Sequence, residues 1–403
     1  MKYEEYIREG LPSRREIEVF IHELSWARFD PVTGYILGNY IPHDGIDNSS
    51  TISTAQPDRS RTSFLYAGKP CRINTYGNSF TQCHQVSDGE TWQEYLAAHL
   101  GEPVRNFGMG GYGLYQSYRR MLQEENTSRA ADYIILYLWG DDHIRSLLRC
   151  RYMLTQGWMR EREQREEVGR MFHGNFWCNI EMDLKEGKLV EKENRITNAE
   201  DLFKMNDPAW MTENLRDDLA LQMALFERKK IDDPDHSSLM KLAECLEIKA
   251  NFRKTGKLQA TVRMILDQYS FAATRYILEK AKEYTDMNHK KLMIVLFDPY
   301  KVTRSLIGHK PRYDQEIVDY LQRKNFNYFD MNLVHAADFK NFRLKPEEYF
   351  KRYFIGHYSP AGNHFFAFSI KPKIVDWLDP RPITYRPTNQ QFIDFKGYLE
   401  GIE

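Results

Sequence analysis

The 403-residue chain predicts an α/β fold: a three-layer α/β/α arrangement on a parallel central sheet. Three observations carry this. Apolar runs of strand length occur at 132–139 (DYIILYLW) and 291–299 (KLMIVLFDP), and uninterrupted apolar runs suit strands covered on both faces. Capped helical segments alternate with these runs, and strand–helix alternation implies a mainly parallel sheet. Glycine-rich and polar corners follow the strand ends, where open α/β sheets place their ligands.

Taken in order, residues 1–70 form an N-terminal extension. It holds two helical turns, then a turn-rich stretch at 41–63. From residue 71 the rhythm is regular. A short strand is expected in CRINTY (71–76). A helix follows in DGETWQEYLAAHLG (88–101), with Asp88 or Thr91 near its N-cap and Gly101 as its stop. Next come a strand in PVRNFG (103–108), a helix in 113–125 and the strand 132–139. Residues 145–265 break the pattern with Arg, Glu, Met and Leu, and read as a mainly helical insertion, a lid or subdomain. Its charge runs are solvated helix faces. The α/β rhythm returns over 266–385 with a helix at 268–286, the strand 291–299, a helix at 313–325, a strand at 326–332 and a closing helix at 360–378. Residues 386–403 form a C-terminal tail. The α/β domain is therefore expected over 71–144 and 266–385.

Composition narrows the function classes. Lys+Arg 56 against Asp+Glu 57 leaves no basic field, so nucleic acid is not an expected partner. Mean hydropathy is -0.64, and no stretch has the roughly 18 apolar residues of a membrane span. The first residues carry no apolar signal segment, and the five cysteines (71, 83, 150, 178, 245) have no metal-type spacing. A reduced, cytoplasmic protein is expected, with its oligomeric state open.

Four short blocks fall at strand ends. The first strand runs into Gly77-Asn78-Ser79 and the second into NFGMGGYG (106–113). The third ends at LWGDDH (138–143), and GHYSPAGNH (356–364) precedes the last helix. Together they supply a serine, a glycine-rich turn, polar and acidic side chains and a histidine. Acyl transfer needs these parts: a nucleophile, a base and oxyanion donors.

In order and local sequence the chain resembles the SGNH hydrolases, the GDSL esterase/lipase family. The first block of that family reads G-D-S, here Gly77-Asn78-Ser79 followed by Phe80-Thr81. The second pairs an asparagine with a glycine five residues on, here Asn106 and Gly111. The third, G-x-N-D, aligns with Trp139-Gly140-Asp141-Asp142, and the last, D-x-x-H, with Phe354 through His357. The resemblance covers residues 71–143 and about 290–378. It implies a flavodoxin-like fold, Ser79 as nucleophile and His357 as base. It implies an oxyanion hole from Ser79, Gly111 and the position of Asp141, with Asn78, Asn106, Asp142 and His143 in support. No cofactor or metal is implied, and the substrate would be a small-molecule or glycan ester.

Three positions depart from the family. Asn78 stands for aspartate, keeping its shape. Asp141 stands for the oxyanion-hole asparagine, where a carboxylate repels unless it is protonated or turned away, or unless His143 donates instead. Phe354 stands for the acid that orients the histidine, leaving a Ser-His dyad or an acid from elsewhere: Asp298, Asp330, Asp338, Glu347 or Glu348. Plainer readings accompany these. Ser79 would serve as a helix cap, the glycines 108–113 as a tight turn and His364 as a core or helix-face residue. Asp141, Asp142 and His143 would cap the next helix. The expected function is an esterase acting through an acyl-enzyme. The alternatives are an acyltransferase with the same serine and a catalytically silent binding protein.

Overall fold

The computed structural model describes residues 1–163, 170, 172–250, 252 and 257–386. The tail expected at 386–403 lies, from residue 387, outside the described residues. So do 164–169 of the Arg/Glu-rich stretch expected to be helical.

Nine strands are present among the described residues. Two, β1 (Ala27–Asp30) and β2 (Gly34–Leu37), form an antiparallel hairpin. The central sheet has five parallel strands: β3 (Ile73–Tyr76), β4 (Arg105–Asn106), β5 (Tyr133–Leu138), β8 (Lys291–Leu296) and β9 (Tyr328–Asp330). Their order is β4-β3-β5-β8-β9. The chain thus winds outward from β3 in both directions, and β3 and β5 flank the point where the winding reverses. Crevices open at such points beyond the strands' carboxyl ends.

Alternation along β5 divides the core. Ile134, Leu136 and Leu138 enter one buried cluster, while Tyr133, Ile135 and Tyr137 enter another. In β8, Ile294 and Leu296 go one way and Met293 and Val295 the other. Successive strand residues point to opposite faces, so an unbroken apolar run signals a sheet covered twice. Helices Trp92–Leu100 and Pro360–Trp377 cover one face, and Leu114–Glu125 and Leu258–Met287 cover the other. This architecture is compatible with a three-layer α/β/α fold.

The capping signals act as their chemistry dictates. Thr91 accepts from the Glu94 N–H, and Gly101 ends that helix in the left-handed region at φ 72°. Ser359 accepts from the Gly362 N–H and Pro360 occupies the first turn of the closing helix.

Two features differ from expectation. The segment 145–265 holds helices but also an antiparallel hairpin, β6 (Asn179–Asp183) with β7 (Lys188–Lys192). Its two five-residue strands lie within a charged, helix-rich stretch that masks their pattern. The helix expected over 268–286 runs from Leu258 to Met287 and crosses the expected boundary at 265. Residues of this segment (Phe176, Leu221) and of the first seventy (Ile7, Phe20, Trp26) share one core cluster with the sheet. No helix among the described residues is long and apolar enough to cross a membrane.

Gly77 links β3 to the serine turn and has no room for a side chain. A Cβ there would lie 2.1 Å from the Thr81 Oγ1 and 2.7 Å from the Tyr137 Cβ. Gly77→Ala should destabilise the fold by about 1–3 kcal/mol, read as a lower urea midpoint.

Candidate functional site

Ser79 opens a four-residue helix, Ser79–Gln82, directly after β3 and Gly77-Asn78. Asn78 shapes this corner with both ends of its amide. Its Oδ1 accepts from the Phe80 N–H at 2.8 Å and its Nδ2 donates to Asp142 Oδ2 at 2.6 Å. The Ser79 N–H, in the first turn, has no helical acceptor. Cys83 ends the helix in the left-handed region, and Gln85 is left-handed too, at φ 72°.

His357 arrives from the far end of the chain. It sits in the turn between helices Pro346–Tyr353 and Pro360–Trp377, where Phe354 bridges to Tyr358. Its Nε2 lies 2.7 Å from Ser79 Oγ. Its Nδ1 lies 2.9 Å from Gln85 Oε1, which also accepts the His357 backbone N–H at 2.7 Å. Gln85 Nε2 in turn donates to the Asp44 carbonyl at 2.9 Å. With its carbonyl oxygen turned to the ring, Gln85 requires a proton on Nδ1. Nε2 is then the acceptor that faces the serine hydroxyl. Burial, reinforced by His84 and opposed by Asp44, holds the imidazole well below its usual pKa, so the ring is neutral at pH 7.

None of the acids considered from sequence reaches this ring. Asp330 pairs with Arg312, Asp338 accepts from Tyr349 and Tyr353, and Glu347 faces Arg304. Glu348 accepts from the Lys345 N–H, and Asp298 from the Tyr300 and Lys301 N–H groups. The orienting group is a neutral amide from the turn just after the serine. A carboxylate does stand nearby, since Asp44 Oδ2 lies 2.9 Å from His84 Nε2 and the two histidine rings are 5.1 Å apart.

The third block behaves differently from its expected role. Asp141 does not face the serine. Its carboxylate lies 3.2 Å from Lys301 Nζ and 3.6 Å from Arg145. Burial favours its neutral form, but Arg145 and Lys301 outweigh that and hold it ionised. It is a partner for cations at the rim and no oxyanion donor. His143 is also elsewhere, buried with Nδ1 2.7 Å from Thr274 Oγ1 and its ring against Phe271. Asp142 does support the site. It accepts from Asn78 and from the Trp139 N–H at 2.8 Å, and burial pushes its carboxyl up to about 7 against the pull of Arg145. Asn106 braces the glycine turn, accepting from the Gly108 N–H at 2.9 Å. His364 lies exposed on a helix face beside Tyr95.

A cavity of about 300 Å³ opens at Ser79 and His357 and is lined by Gly110 and Gly111. Gly111 has φ +83°, and a Cβ on it would meet the Arg151 guanidinium at 2.5 Å and the Tyr35 hydroxyl at 2.6 Å. Its N–H has no hydrogen-bond acceptor among the described residues. The walls also include Trp26, His84, Trp139, Arg145, Arg151 and Trp158. Trp26 comes from the N-terminal segment; Arg151 and Trp158 come from the insertion. Sequence reasoning named none of these, nor Gln85, because no spacing ties them to the serine. Among the described residues no group of three or more His, Cys, Asp or Glu is placed to hold a metal ion. A scan against protein-family models finds no match, and a search of curated proteins finds none either.

The turn bearing Gln85 is held by a buried arginine. Arg61, 2% exposed, pairs with Asp88 at 2.9 Å and donates to the carbonyls of Gln82, Cys83 and Val86. Arg61→Ala leaves Asp88 and three carbonyls without that donor. It should cost about 3–5 kcal/mol of stability, measured by urea unfolding.

Proposed function

We propose that this protein is a serine esterase on an SGNH-hydrolase-like scaffold, acting on a small-molecule or glycan ester through an acyl-enzyme. The observation that carries the reading is the 2.7 Å contact from Ser79 Oγ to the acceptor nitrogen of a neutral imidazole, whose other nitrogen is held by Gln85. Ser79 Oγ attacks the ester carbonyl while His357 Nε2 takes its proton. The tetrahedral oxyanion is held by the backbone N–H groups of Ser79 and Gly111. Collapse breaks the C–O bond, and the imidazolium returns the proton to the departing alcohol. Water, deprotonated by the same nitrogen, then releases the acid from Ser79. Gln85 acts as a positioning residue in the place an acid holds in Ser-His-Asp triads; an amide in that place also orients histidine in Cys-His-Asn sites. A second reading, acyl transfer to an alcohol or amine, is favoured by the large insertion, whose residues Arg151, Thr155, Trp158 and His173 line the cavity.

A fluorophosphonate probe should label the protein at Ser79 and leave Ser79→Ala unlabelled; equal labelling of both would remove the nucleophile assignment. The pH profile supplies a separate test. The neutral imidazole is the active form and its pKa is lowered, so kcat/KM should stay level down through pH 6.5 and fall only in more acid solution. Gln85→Glu places a carboxylate on Nδ1, favours the imidazolium and should move that acid limb upward.

A further inference from the structure

We propose that the ester taken by this cavity carries an anionic group, a carboxylate or a phosphate, seated on the Arg151 guanidinium; this rests on the esterase reading above. Two arginines line the cavity and no Asp or Glu does. They are not equivalent. Arg145 lies 3.6 Å from Asp141 and 3.5 Å from Asp142, and stacks 4.7 Å over Trp139. Its charge is answered within the protein. Arg151 has no carboxylate within ion-pairing distance among the described residues. Its contacts are neutral: the His173 carbonyl at 3.3 Å and the Tyr35 hydroxyl. Asp141, whose charge does influence it, is already engaged by Lys301 and Arg145. Loss of hydration is the largest influence on this guanidinium and brings its pKa down to about 10, still fully charged at neutral pH. A desolvated cation with only neutral partners is costly to keep. An incoming anion supplies the missing charge, and the planar fork suits carboxylate or phosphate oxygens in pairs.

The position also fits substrate binding. Arg151 abuts Gly111, the residue assigned to the oxyanion, so the anionic group and the reacting carbonyl are joined by a short spacer. Trp26 and Trp158 form apolar walls in the same cavity.

Two esters of matched length test this: para-nitrophenyl hemisuccinate, with a free carboxylate, and para-nitrophenyl butyrate, without one. Wild type should prefer the hemisuccinate in kcat/KM by at least about tenfold, and the ratio should fall towards one in Arg151→Gln. Arg151→Lys, which keeps the charge without the fork, should retain an intermediate ratio. No preference in wild type overturns the proposal. So does an equal loss on both esters in Arg151→Gln, which would place the guanidinium on the oxyanion. A second measurement needs no turnover. Succinate or inorganic phosphate at millimolar concentration should raise the thermal midpoint of Ser79→Ala, but not of the Ser79→Ala/Arg151→Gln double variant. Which of the two acts distinguishes a carboxylate from a phosphate. If fluorophosphonate labels nothing yet this protection persists, the esterase reading fails and the anion site stands. If labelling occurs with neither preference nor protection, the anion proposal alone fails.

Discussion

The geometry of the site depends on one buried cation. Arg61 is drawn from the N-terminal segment into the base of the serine turn, where Asp88 neutralises it and three consecutive-turn carbonyls accept its remaining donors. Those carbonyls belong to Gln82, Cys83 and Val86, a stretch that contains two left-handed residues, Cys83 and Gln85. Left-handed backbone is disfavoured for residues with a Cβ, and it persists only where the surroundings over-determine it. The guanidinium does so here. It fixes the bend that carries Gln85 back to His357, and through Gln85 the imidazole is aimed at Ser79.

The electrostatics of the site follow from dryness. A neutral amide orients the histidine, so no adjacent carboxylate on Nδ1 raises its basicity, and burial lowers it further. The neighbouring Asp142 is pushed the other way by the same burial, yet Asn78 and the Trp139 N–H bind its Oδ2 and make it a structural anchor for the serine corner. Asp141, one residue earlier, sits at the rim among cations and stays charged. Both carboxylates lie near Arg145, so they differ because Asp142 faces the interior while Asp141 also meets Lys301.

The cavity is a composite. The sheet provides Ser79, Gly111 and Trp139 at the carboxyl ends of β3, β4 and β5, which adjoin the winding reversal. The first seventy residues add Trp26, and the insertion adds Arg151, Thr155, Trp158 and His173. Both added segments pack into the same core cluster as the sheet, so their side chains are held by the fold that holds the serine.

The sequence alone was enough for the five strands of the sheet and the capped helices, and the family resemblance named Ser79 and His357 for one site. Those features are written locally: apolar runs of strand length, Thr91 and Ser359 at helix starts, and short polar blocks at strand ends. The hairpin β6–β7 was not legible because its two five-residue strands lie inside a charged, helix-rich stretch, even though β6 alternates polar and apolar residues. Neither the direction of Asp141 nor the histidine's partner could be read. Asp141 turns to Lys301, 160 residues away, and His357 turns to Gln85, 272 residues away. That the charge of Arg151 is unanswered likewise depends on which carboxylates lie within reach. Local sequence governs backbone preference and burial, whereas hydrogen-bond and charge partners are set by distance in space, which only the packed tertiary structure decides.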